Sequence, residues 1–211
     1  MTDSKDLLLI FTRNPELGKC KTRLATTIGD NAALEVYKFL LNHTVSITRN
    51  LDTDKTVYYS ESIWRNDIWP DELFDKKLQE GEDLGIRMLN AFSRGFSEGY
   101  DRIIVIGSDM HDLSEKDLRY AFDALKKNDF VLGPAQDGGY YLLGMKSLKK
   151  ALFQNKYWGT SSVLSATIKD LKNEKIALLE TRNDVDTYED IKDTTAFMPF
   201  LKHLNDDEKT T

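Results

Sequence analysis

The sequence predicts an α/β sandwich around a mainly parallel sheet. Two observations predict it: short apolar runs bounded by turn residues, and helical apolar stripes that alternate with those runs along the chain. Parallel neighbours need crossover helices, so this alternation implies a sheet covered on its faces.

The first element is Leu7 to Phe11, a continuous apolar run of the kind buried on both sides. Asn31 to Arg49 then carries Ala33, Leu34, Tyr37, Leu40, Leu41 and Val45 at helical spacing, with Asp30 placed as N-cap. Lys55 to Ser60 reads as a strand, and the tract Glu61 to Phe74, with Trp64, Trp69 and Pro70, as irregular. Asp83 to Phe96 puts Leu84, Met88, Ala91 and Phe92 on one helical face. Arg102 to Ile106 is the clearest strand, and Ser114 caps the next helix with Asp117 at its third position. DFVLG and YYLLGM are strands around the loop PAQDGG; Ser161 to Leu171 is helical, Ile176 to Leu179 a strand, and Tyr188 to His203 a final helix. The sequence suggests one domain over residues 1–204 and a polar, frayed tail from Asn205 to Thr211.

Composition narrows the function. With 211 residues, 40% hydrophobic and 30% charged, the chain is an ordinary globular one. No apolar run approaches the roughly 20 residues of a membrane span, and the start MTDSKDLLLIFTRNP lacks the parts of a signal peptide, so a cytoplasmic location is expected. The single Cys20 reads as a bystander thiol, and no cysteine and histidine cluster has zinc-ligand spacing. A net charge of -6 argues against nucleic-acid partners. Arg13, Lys19, Lys21 and Arg23 nevertheless cluster in one loop, as a small phosphorylated ligand would require.

That loop, NPELGKCKTRLA, is not a Walker loop: Gly18-Lys19 is followed by Cys20, and the position of the first Walker glycine holds Arg13. A strand, a glycine turn at Gly18, and Lys21 and Arg23 near a helix start suit a diphosphate; the same residues also suit a solvated basic loop. Ligands of open α/β sheets bind beyond the carboxyl ends of strands. Asp109, in RIIVIGSDMHDL, stands at such an end; it suits a hard divalent cation, and equally a turn that caps the chain as it leaves the strand. Asp137, in GPAQDGGYYLLG, projects from a loop beside Gly138 and Gly139; it reads as a turn-capping aspartate or as a base for an acceptor hydroxyl. In NDVDTYEDI, Asp184 or Asp186 reads as a second metal ligand, and the same segment reads as a helix start rich in acids. Gln79, Gly85 and Arg87 stand where a strand becomes a helix, Gln79 suited to a base edge or the segment to a surface turn, and Trp158 suits a sugar pocket or the core.

Taken in order, P-x-x-G-x-x-K-T-R-L, Q-x-G-x-D-L-G-x-R-M, G-S-D, G-P-x-x-D-G-G-Y-Y-L-L-G and D-x-D-T-x-x-D resemble the bacterial glycosyltransferase A-like family, whose members are often labelled cofactor-guanylyltransferase-like transferases or arsenosugar-biosynthesis glycosyltransferases. The resemblance runs from Leu7 to about Phe200. It implies the nucleotide-diphospho-sugar transferase fold, a three-layer α/β/α sandwich. It also implies a nucleotide site of Arg13, Gly18, Lys21, Arg23, Gln79, Gly85 and Arg87, and a sugar or acceptor face of Gly138, Gly139, Tyr140 and Trp158. Asp137 is the catalytic candidate, and Asp109 with Asp186 the ligands of Mg²⁺ or Mn²⁺. His111 stands where the family commonly has proline. The expected activity is glycosyl transfer from a nucleotide sugar to a small-molecule acceptor. Two alternatives stay open: nucleotidyl transfer from a nucleoside triphosphate, and nucleotide binding without turnover.

Overall fold

A computed structural model describes residues 5–207. Among the described residues seven strands form one sheet: β1 (Asp6–Thr12), β2 (Asp54–Tyr59), β3 (Asp75–Leu78), β4 (Arg102–Gly107), β5 (Phe130–Pro134), β6 (Tyr140–Met145) and β7 (Ile176–Leu178). Their order is β3-β2-β1-β4-β6-β5-β7. Only β6 runs against its neighbours β4 and β5; every other pair is parallel. Among the described residues six α-helices accompany the sheet: α1 (Thr22–Ile28), α2 (Asp30–Thr48), α3 (Leu84–Ser97), α4 (Glu115–Lys127), α5 (Val163–Asp170) and, after the last strand, α6 (Lys202–Asp207).

The inner strands β1, β2, β4, β5 and β6 are buried on both faces, which explains the unbroken apolar runs of β1 and β4, whereas the edge strands β3 and β7 are half-buried or exposed. Side chains alternate along a strand. Leu8 and Ile10 of β1 therefore join Tyr37 and Leu41 of α2 and Leu118 and Phe122 of α4, whereas Leu7 and Leu9 join Met88 and Phe92 of α3 and Leu152 of a short 3₁₀ turn. Three layers result. A further cluster fastens α1 to α2 through Leu24, Ile28, Val36 and Leu40, and takes in Phe197.

Local chemistry sets the helix ends. Ser114 and Asp117 cap α4 reciprocally, and Asp83 caps α3 by accepting the Ile86 N–H at 2.8 Å. Two expectations need correction. Asp30 is the first residue of α2 and not its cap; Gly29, at φ +81°, ends α1 and starts α2 in a single residue. The final helix expected from Tyr188 to His203 is broken into 3₁₀ segments at Tyr188–Asp190 and Thr195–Phe200 before α6 begins. Pro199 lies in the second of these; it has no N–H to donate and clashes with a preceding turn. The predicted tail lies partly in α6, which runs to Asp207, and its residues 208–211 fall outside the described ones. Among the described residues no helix is long and apolar enough to cross a membrane.

Candidate active site

The site lies beyond the carboxyl ends of β1 and β4, which a buried hydroxyl network fastens together. The Tyr37 hydroxyl is 3.2 Å from Thr12 Oγ1 and 3.2 Å from Ser108 Oγ, and it accepts the Arg13 N–H at 2.9 Å. Ser108 Oγ in turn donates to Thr12 Oγ1 at 3.1 Å. Buried polar groups are costly unless bonded, so this network fixes the spacing of the two strand ends. Helical spacing alone marks Tyr37 as an apolar-stripe residue of α2, and no local pattern marks its hydroxyl as part of the site.

Two loops leave those ends and bring the predicted cations onto the predicted carboxylates. Lys21 caps α1 in the left-handed region, φ +50°, uncommon for a residue with a side chain. Its ammonium lies 2.9 Å from Asp109 Oδ2, with the Lys21 side chain 6% exposed. Burial pulls the Lys21 pKa down, but the charges of Asp109, then Asp186 and Asp184, outweigh it and hold the ammonium above its ordinary value. Arg23 meets Asp186 at 2.8 Å near the surface. Asp186 opens the predicted acidic turn: Asp190 Oδ2 accepts its N–H at 3.0 Å and that of Thr187 at 2.6 Å. Gly18, at φ +72°, supplies the turn of the loop, and Lys19 is occupied by Glu16 at 2.7 Å.

A cavity of about 230 Å³ opens beside Asp109. Asp137 and Asp184 share it, facing an apolar wall that includes Phe11, Met88, Tyr140 and Trp158. Burial, followed by the charge of Asp109, pushes the Asp184 pKa up to about 6. Asp137 Oδ1 accepts the Gly139 N–H at 2.8 Å, so it caps its turn and lines the cavity at once. Burial also raises the Tyr140 phenol. Gly85 lets the cavity close, because a Cβ there would lie 2.5 Å from the Trp158 indole nitrogen. Gly138, at φ +87°, packs on the backbone of Ser161 and accepts the Leu164 N–H at 2.9 Å.

Three other predicted residues lie apart from the cavity. Gln79 donates its amide to the carbonyls of Thr12 and Tyr58 at 3.1 and 2.9 Å, joining β1 to β2. Arg87 donates to the Gly81 carbonyl at 3.0 Å and lines a separate groove with Tyr58 and Arg94. Arg13 faces a second cavity with Lys38 and Trp64. Cys20 is buried in the core, where burial raises its thiol. His111 lies against Phe39, Phe197 and His43.

The donor set bears on a metal. Among the described residues no group of three or more histidine, cysteine or carboxylate side chains is arranged as a metal cage. Mg²⁺ does not need one, since it is commonly held by one or two carboxylates with substrate phosphates. Asp109 and Asp184 crowd one cavity at the cost of a raised pKa, and the cation now facing Asp109 is Lys21. Such a donor set fits a divalent ion arriving with a phosphate ligand.

Residues 44–160 match the family described as "Uncharacterized protein conserved in bacteria (DUF2064)". The chain belongs to the DUF2064 family. No curated protein matches the DUF2064 chain. Among solved structures it is similar to a protein from Desulfovibrio desulfuricans G20 proposed to be a nucleotide-diphospho-sugar transferase. The two are 29% identical, with 96% of each chain covered and a TM-score of 0.83. The 4-diphosphocytidyl-2C-methyl-D-erythritol synthase of Anaerococcus prevotii DSM 20548 is similar at 11% identity, with 93% and 96% of the two chains covered and a TM-score of 0.59. A cytidylyltransferase of Leptospira borgpetersenii serovar Hardjo-bovis (strain JB197) is similar at 13% identity, with 98% and 96% covered and a TM-score of 0.56. The DUF2064 chain therefore has the nucleotide-diphospho-sugar transferase fold, as the resemblance in its motifs implied.

Proposed function

We propose that this protein is a transferase that moves a sugar from a nucleotide-diphosphate-linked donor to a small-molecule acceptor. The carrying observation is the buried Lys21 ammonium, 2.9 Å from Asp109 at the joined ends of β1 and β4, beside a cavity with two further carboxylates. The donor diphosphate binds against Lys21 and Arg23 through charge-assisted hydrogen bonds. As the bond from sugar to diphosphate breaks, negative charge builds on the leaving oxygen, and the fixed Lys21 ammonium meets it without reorganising. Its acidic neighbours keep Lys21 charged despite burial. The sugar and acceptor occupy the cavity against Trp158, Tyr140 and the glycine turn. There Asp137, whose Oδ1 is held by Gly139, takes the acceptor hydroxyl proton. Asp109 would hold Mg²⁺ or Mn²⁺, with Asp184 or Asp186 as second carboxylate. When bound, the ion would supply further neutralisation of the diphosphate.

A second reading, nucleotidyl transfer, has support from the cytidylyltransferases among the similar folds. It uses the same cations but attacks the α-phosphate of a nucleoside triphosphate. Product analysis separates the two: release of a nucleoside diphosphate supports glycosyl transfer, and release of pyrophosphate supports the alternative. Binding without turnover in a panel of donors and acceptors would favour an idle nucleotide-binding protein. A thermal-shift screen of nucleotides and nucleotide sugars, with and without Mn²⁺, comes first, because a ligand at about 100 times its Kd adds roughly 2.7 kcal/mol of stability. If none shifts the melting temperature, the reading fails.

A further inference from the structure

The tract between β2 and β3 builds a second cavity that the proposed reaction does not use. It is an open cavity of about 770 Å³ between this tract, α2 and the start of the loop after β1, within the roughly 300–1,000 Å³ of ordinary small-ligand sites. Arg13, Lys38 and Arg65 line it, beside the indoles of Trp64 and Trp69. Its one carboxylate, Asp67, is already satisfied. Asp67 Oδ1 lies 2.9 Å from Lys76 Nζ and accepts the Trp69 N–H at 3.0 Å, and the Tyr59 hydroxyl donates to Oδ2. Lys38 is paired with Glu35 at 2.7 Å on the exposed side of α2. Among the described residues, neither Arg13 nor Arg65 has a carboxylate within ion-pair distance.

The walls are held in place. Asp67 knots the tract to β2 and β3, and Asn66, at φ +55°, makes the turn that precedes it. Asn14, 3% exposed, donates to the Ser62 carbonyl at 2.8 Å and so fastens the tract to the loop after β1. In a chain of net charge -6, Arg13 and Arg65 put two guanidinium groups at one aromatic-walled cavity. Guanidinium groups match phosphate and carboxylate oxygens in pairs, and an indole offers a face to a flat apolar body.

We propose that this cavity is a second binding site, for a small anionic ligand with a flat apolar body, an aryl phosphate or aryl carboxylate. Its anion sits on Arg13 and Arg65 and its ring against Trp64. The test is calorimetric titration of the full chain with phenyl phosphate, alongside inorganic phosphate and phenol as its two halves. Phenyl phosphate is expected to bind saturably, at least about tenfold more tightly than either half. Arg65→Gln combined with Lys38→Gln, both on exposed side chains, is expected to weaken it by about tenfold or more, and Arg65→Gln alone by several-fold. Lys21→Met, which alters the first site, is expected to leave the affinity unchanged. The proposal is overturned by the absence of saturable binding up to about 10 mM, by unchanged affinity in Arg65→Gln, or by loss of binding in Lys21→Met.

Discussion

Replacing Gly138 by alanine tests how the turn that carries Asp137 is held against the segment before α5. Two costs add. At φ +87° a side chain is strained, by about 1 kcal/mol. The new Cβ would also lie 2.4 Å from the Ser161 carbonyl oxygen and 2.6 Å from its Cα, where ordinary contact begins at 3.4 Å. One loop must therefore move by about 1 Å, and overpacking of this kind costs about 1–3 kcal/mol. The expected loss is about 2–4 kcal/mol in urea unfolding. Gly159→Ala is the control: its φ is +77° but nothing lies within 4 Å of its Cβ, so only the strain of about 1 kcal/mol applies. The same 1 Å shift displaces Asp137, and misplacement of that size lowers turnover by up to about 100-fold. If the two variants lose stability within about 0.5 kcal/mol of each other, the close packing of Gly138 on Ser161 is refuted.

Other substitutions probe the cations and the buried network. Lys21→Met should raise the Kd for nucleoside diphosphate by about tenfold or more, whereas Lys19→Met, at an exposed residue paired with Glu16, should change it by less than about twofold; equal effects would contradict the assignment of Lys21. For Asp184 the pKa, raised from 3.8 to about 6, means that the folded chain holds the proton more tightly than the unfolded one. Its charge therefore costs stability progressively as pH rises from about 4 to 6. With metal chelated, Asp184→Asn should match the natural chain below pH 4 and exceed it by about 1–2 kcal/mol above pH 6, solvent screening having reduced the full linkage value; thermal melts across this range would show no such divergence if the crowding is absent. Tyr37→Phe should cost about 1–3 kcal/mol and lower kcat, because Thr12, Ser108 and the Arg13 N–H lose their common partner. Unchanged kcat would remove the network from the site.

Much of the architecture was legible in the chain, since apolar period and capping chemistry are local properties. Leu7 to Phe11, Arg102 to Ile106 and the Ser114 cap appear where their patterns put them. The final helix was not legible as it stands: its apolar spacing suggested a helix, and Pro199 with the packing of Phe197 against α2 selected 3₁₀ turns. The site divides in the same way. The sequence by itself determined that cations follow β1 and that carboxylates follow β4 and β7, because the segments leaving the carboxyl ends of strands lie where an open α/β sheet binds ligands. Only the tertiary structure decided which of them meet. Asp184 and Asp186 are two residues apart in one turn, yet Asp184 lines the cavity and Asp186 takes Arg23. Gln79 and Arg13 carry suitable chemistry, but one bridges two strands and the other faces a different cavity. A side chain's partner depends on loops that converge from distant parts of the chain, such as Lys21 on Asp109 across 88 positions, and no local pattern encodes that meeting.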